Sequence, residues 1–147
     1  MDGTRPKYGL HRSIGHQISR TSRVIERRVE DGLRQHGLTR VGWCVLLAVA
    51  EDGHKQPSDI AAFVGIDRTA TSRALRQLES EGYIQRSMGE IDRRTTEVSL
   101  TKQGFARLSS AMPLCTENME HFEGKLAPDE SAELRRLLTK LSDGEFD

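Results

Sequence analysis

Residues 57–100 read PSDIAAFVGIDRTATSRALRQLESEGYIQRSMGEIDRRTTEVSL, and this stretch decides the fold. Pro57 suits a first helical position, where a missing N–H costs nothing. A short helix from Pro57 to Val64 then presents Ile60, Ala61 and Val64 inward. Gly65-Ile66-Asp67 makes a three-residue turn, and Asp67 is a good N-cap for a second helix, Arg68 to Glu81, with Leu75 and Leu78 on its apolar side. Gly82 ends that helix. Two helices joined by so short a Gly-containing turn make a helix-turn-helix. The stretches Tyr83–Met88 and Thr95–Leu100 read as strands around a polar hairpin tip, Gly89–Arg94. A helix-turn-helix followed by a β-hairpin is a winged helix.

Outward from this lobe the chain is helical. Leu10, Ile14, Ile18, Ile25, Val29 and Leu33 lie four or seven apart, which predicts one helix from Gly9 to about Gln35. At 1.5 Å per residue such a helix is ~37 Å long, more than a small lobe covers. Gly37 stops it, and Thr39 caps a core helix from Arg40 to about Glu51. Beyond Leu100, Thr101 caps another long helix, with a heptad-like seam of Leu108, Met112, Cys115, Met119, Phe122 and Leu126. Pro113 lies inside it and predicts a kink or a shift of register. Pro128 starts a last helix lined by Leu134, Leu137, Leu138 and Leu141. The fold class is therefore mainly α with a small β-hairpin wing: a winged helix-turn-helix at 37–100, with dimerisation helices at 1–36 and 101–147. Two amphipathic ends with few partners of their own are most economically buried by a second copy across a two-fold axis.

At 147 residues the chain is one integrated domain. Hydrophobic residues are 35% and mean hydropathy is −0.58, which fits a modest core and apolar faces buried elsewhere. The apolar run Trp43–Ala50 is far below the ~20 residues a membrane span needs, so no membrane partner is expected. The polar stretch Met1–Ser13 has no signal-peptide pattern, so a cytoplasmic location is expected, with Cys44 and Cys115 as free thiols. Net charge is zero, but it is segregated. Residues 1–43 hold nine Lys/Arg against four Asp/Glu, 55–107 nine against seven, and 108–147 four against nine. Solvated helix faces would account for such runs; so would a basic surface aimed at an anion.

The second helix of the helix-turn-helix carries the sharper chemistry. Arg68, Thr69, Ser72, Arg73 and Arg76 can share its outer face, and Ala70 is small enough for close approach or contact with a thymine methyl. Arginine grips guanine O6 and N7 through two hydrogen bonds, while Ser and Thr reach phosphates or bases. At the hairpin tip, Asp92, Arg93 and Arg94 suit a narrow minor groove, with Asp92 holding an otherwise floppy arginine in shape. Double-stranded DNA is thus the expected partner. A winged helix serving only protein–protein contacts is the other reading the residues allow, and it needs none of these arginines.

Four segments, DRTATSR at 67–73, LESEGYIQR at 78–86, DRR at 92–94 and LTKQG at 100–104, occur in an order and spacing that resembles the MarR family of bacterial transcriptional regulators, most of all its SlyA-like branch. The resemblance runs from about Leu10 to Leu141. It implies a homodimer held by the terminal helices, whose two lobes bind a pseudo-palindromic operator. It also implies a repressor that releases DNA on binding a small aromatic or lipophilic anion, or on cysteine oxidation. Family members that sense peroxide carry a cysteine early in the first helix; this chain has none there. His16, Arg20, Trp43, Cys44 and Arg86 are the candidate effector residues, a cationic group beside an aromatic wall, although Trp43 as packing and Arg86 as a structural anchor at the wing root are the simpler roles. Cys44 and Cys115 fall on apolar helix positions and read as small hydrophobes. The sequence lacks Gly-x-Gly-x-x-Gly, Walker A, His-Glu-x-x-His and Gly-x-Ser-x-Gly patterns, and its five histidines form no ligand-spaced set. No enzyme activity, metal or cofactor is expected.

Overall fold

A computed structural model describes residues 9–145. Its elements are α1 (Ile14–Gln35), α2 (Arg40–Ala50), α3 (Pro57–Val64), α4 (Arg68–Ser80), β1 (Ile84–Met88), β2 (Thr96–Leu100), α5 (Lys102–Glu123) and α6 (Pro128–Ser142). Local chemistry sets their boundaries. Thr39, Asp67 and Thr101 each accept a hydrogen bond from the backbone N–H three residues on, which caps α2, α4 and α5. Gly37 and Gly82 take the left-handed conformation that ends a helix, and Leu38 and Tyr83 donate back to Leu33 and Leu78 to close the last turn.

Two helix expectations change. The first helix does not begin at Gly9: Leu10–Arg12 form a 3-10 turn, and α1 starts at Ile14. Ser13 explains the break, because its hydroxyl accepts from His16 N at 3.2 Å and so caps a new helix. Pro113 neither ends α5 nor shifts its register. The buried positions Leu108, Ala111, Cys115 and Asn118 keep steps of three and four straight through it. Pro113 and Ser109, whose carbonyl loses its helical partner, are both exposed, so solvent can take that carbonyl. The inward seam also differs from the expected one. Ala111 and Asn118 are buried, Met112 and Phe122 half-buried, and Met119 is 53% exposed.

The core joins the lobe to the adjoining ends of α1 and α5. Leu33, Val45, Leu46, Ile60, Leu75 and Val98 are fully enclosed. The two strands pair antiparallel, Ile84 opposite Leu100 and Met88 opposite Thr96. Val98 N also donates to Lys55 O at 2.7 Å, tying the hairpin to the α2–α3 loop. A Cβ on Gly104 would collide with the Tyr83 carbonyl, so this glycine is what lets α5 start against the wing root. Among the described residues, no helix is long and apolar enough to cross a membrane.

Candidate nucleic-acid interface

Amphipathic spacing orients α4. Leu75 and Leu78 lie buried beneath it, and Thr71, 1% exposed, turns its hydroxyl to Asp67 O at 2.9 Å. That inward geometry leaves Arg68, Thr69, Ser72, Arg73 and Arg76 exposed together on the other side. Ala70 is half-buried on the flank, with its N–H given to Asp67 Oδ1 at 2.7 Å. Arg68, Arg73 and Arg76 make no ion pair with the described residues, so the face offers three uncompensated guanidinium groups. The acids of this helix, Glu79 and Glu81, lie at its far end, where Glu81 accepts from Gln77 Nε2 at 2.6 Å.

The wing tip is organised by one carboxylate. Asp92 Oδ1 accepts from Arg94 N at 3.0 Å and from Arg94 Nε at 3.3 Å, and Thr95 Oγ1 donates to Asp92 O at 2.7 Å. The Arg94 side chain is nevertheless 93% exposed. It is oriented without being buried, which suits an arginine meant to enter a groove. Arg93 is exposed beside it. The helix face and the wing together provide two separate basic projections from one lobe.

The expected effector residues do not all meet. A groove of about 1350 Å³ runs between α1, α2, α5 and α6, and Trp43, Cys44, Arg40, Glu26 and Cys115 line it, with apolar side chains such as Ile18 and Leu138. His16 and Arg20 are not in its wall: two residues from Ile18 is 200° around a helix, so they turn away from it. Arg86 is also elsewhere, at the root of the wing, 3.5 Å from Glu79. Arg40 and Glu26, 3.5 Å apart, were not legible as groove residues, because nothing in the spacing of two helices announces which charges will meet. The Trp43 Nε1 is buried with no hydrogen-bond partner among the described residues. Burial raises the Cys44 thiol, partly countered by Arg40, and pushes Cys115 up to about 11, with Cys44 adding to the shift. Both thiols therefore stay protonated near neutral pH and are poor nucleophiles.

Comparison with known proteins agrees with this geometry. Residues 36–95 match the MarR family. The HTH-type transcriptional regulator YwoH of Bacillus subtilis is 30% identical over 94 residues, covering 64% of this chain and 68% of YwoH. Two further curated regulators are spanned over only 57% and 47% of their own length. Among solved structures, Bordetella bronchiseptica BpsR, studied for regulation of its DNA binding by 6-hydroxynicotinic acid, superposes with a TM-score of 0.85 at 24% identity, covering 94% of this chain and 99% of that one. Escherichia coli MarR carrying C80S, in complex with operator DNA, gives 0.79 at 25% identity over 87% and 92% of the two chains. These relatives are regulators and not enzymes. The match over residues 36–95, with 30% identity to YwoH over 68% of that protein, places the chain in the MarR family of DNA-binding transcriptional regulators.

Proposed function

We propose that this chain acts as a homodimeric, ligand-responsive repressor on a pseudo-palindromic operator, and that it works in the cytoplasm. The observation that carries the DNA contact is the exposed, unpaired set Arg68, Arg73 and Arg76 on one side of α4, beside the ordered Arg94. In this reading α4 enters the major groove with Arg68, Thr69, Ala70, Ser72, Arg73 and Arg76, and the wing lays Asp92, Arg93 and Arg94 along the adjacent minor groove. The terminal segments, 1–36 and 101–147, form the dimer head, and 37–100 forms the reading lobe; Met1–Tyr8 and Phe146–Asp147 lie outside the described residues. Support for a second copy comes from Ile14, Ile18, Met119 and the four leucines of α6, all at least 40% exposed and all lining one groove. A dimer presents two α4 helices, and such pairs read half-sites about one DNA turn apart.

The same groove suits an aromatic or lipophilic anion. Its wall is mainly apolar, Trp43 has an indole N–H without an acceptor, and Arg40 offers a guanidinium next to it. Trp43 and Cys44 stay in the proposed effector set, and Arg40 joins them. BpsR responds to 6-hydroxynicotinic acid, and a ligand of that class is the natural first probe. The direct test of the whole reading is selection of bound duplexes from a random pool. A two-fold symmetric site with half-sites one turn apart is the expected product. Recovery of no enriched sequence at low salt would favour the protein-interaction reading. Quenching of Trp43 fluorescence by an aromatic acid, with loss of operator binding, is the expected effector response; no response across a broad panel counts against it.

A further inference from the structure

Strand alternation puts Ile84, Arg86 and Met88 of β1, with Thr96, Val98 and Leu100 of β2, on one face of the hairpin. Moving outward along that face, Ile84, Val98 and Leu100 are buried, whereas Met88 is 67% exposed. Arg86 occupies the point where the sheet leaves the body of the protein. It cannot enter the core and it is not out on the wing; its side chain, 27% exposed, lies in a notch between the hairpin and α4. The notch has a volume of about 500 Å³, and Ser58, Arg68, Ser72, Arg86 and Thr96 supply its polar wall. Two guanidinium groups and three hydroxyls face this space, and the Glu79 carboxylate, 3.5 Å from Arg86 Nε, is itself half in solvent. That Nε is buried, and beyond this ion pair it has no hydrogen-bond partner among the described residues.

We infer that this notch is a phosphodiester clamp, in which Arg86 and Arg68 hold one backbone phosphate of the operator. The inference rests on the proposed docking of α4 in the major groove and the wing in the adjacent minor groove. Those two grooves are separated by a single sugar–phosphate strand. With α4 in one and the hairpin in the other, that strand has to pass across the notch between them. The notch carries the donors an anionic oxygen takes: forked N–H groups from arginine and neutral hydroxyls from Ser58, Ser72 and Thr96. Arg86 then fixes how far the wing swings relative to α4 and carries no sequence information itself.

The test uses the full chain and its selected operator. Arg86→Gln removes one phosphate contact from each half-site of the dimer, so it is expected to lower the slope of log binding constant against log salt by about two and to leave the ratio of operator to scrambled duplex unchanged. Replacing phosphates one at a time with neutral methylphosphonates should weaken wild-type binding about tenfold at one position per half-site, between the major-groove contacts and the minor-groove tract. The Arg86→Gln protein should be much less sensitive to that replacement, with Arg68 alone accounting for what remains. Glu79→Gln, which frees the arginine without removing it, should bind as tightly as wild type or more tightly. If Arg86→Gln keeps the wild-type slope and the same sensitive phosphate, the clamp is wrong while the docking reading stands. If Glu79→Gln and Arg86→Gln weaken binding equally, Arg86 acts only through its ion pair, and the clamp is again wrong. If Arg73→Ala and Arg94→Ala both bind like wild type, the docking itself fails and the clamp falls with it.

Discussion

Helices α4 and α6 are of similar length, 13 and 15 residues, and both carry an apolar stripe, yet they end in opposite situations. In α4, Leu75 and Leu78 are 0% and 3% exposed, because α2, α3 and the hairpin close over them. In α6, Leu134, Leu137, Leu138 and Leu141 remain 40–56% exposed, and no residue of the helix is buried. The first helix has its apolar partner within the chain and leaves its polar face exposed. The second has its polar face satisfied locally, by pairs such as Arg136 with Glu133 and Arg135 with Glu123, and its apolar face is what remains to be covered. One lobe is closed over its apolar side; the other end keeps an uncovered one.

The sharpest way to break this contrast is to charge the unfinished face. Leu137→Asp with Leu141→Asp should convert a dimer to a monomer in sedimentation and abolish operator binding at physiological salt, because a single lobe offers only half the contacts. A monomeric wild-type protein would remove the contrast altogether. Leu75→Ala tests the finished face: opening a cavity under α4 should cost about 2–5 kcal/mol in denaturant unfolding. A cost below about 1 kcal/mol would mean that α4 is not the packed element described. Arg73→Ala leaves the packing alone and should cost about 1–3 kcal/mol of operator preference if Arg73 reads guanine. Equal losses on operator and random duplex would instead make it a phosphate contact. Arg94→Ala, lost from both wings of the dimer, should flatten the salt slope by about two, and Asp92→Asn, which only loosens the arginine, should do less. Smallest of all, peroxide should leave operator binding intact in the wild type and in Cys44→Ser, since burial keeps both thiols protonated. Loss of binding in the wild type and its retention in Cys44→Ser would show a redox role after all.

Much of this was legible before any coordinates. Caps and stops are local chemistry, so Thr39, Asp67, Thr101, Gly37 and Gly82 marked the helix ends correctly. Ser13 is the instructive exception: the spacing of Leu10, Ile14 and Ile18 runs straight across a residue whose hydroxyl caps a new helix. The register of α5 is kept across Pro113 for a related reason. The cost of a proline in a helix depends on whether the orphaned carbonyl meets solvent, and spacing alone does not say which way Ser109 faces.

The interface residues divide in the same manner. Helical and strand periodicity by themselves determined that Arg68, Thr69, Ser72, Arg73 and Arg76 share a side, and that Asp92 and Arg94 sit together on a tight tip, because those relations span only a few residues and follow from backbone geometry. Only the tertiary structure decided that Arg40 meets Glu26 beside Trp43, that His16 and Arg20 turn away from that groove, and that Arg86 lies in the notch under α4. Each of those depends on how helices and hairpin pack across tens of residues, where small changes in crossing geometry choose between neighbours that the linear order leaves equivalent.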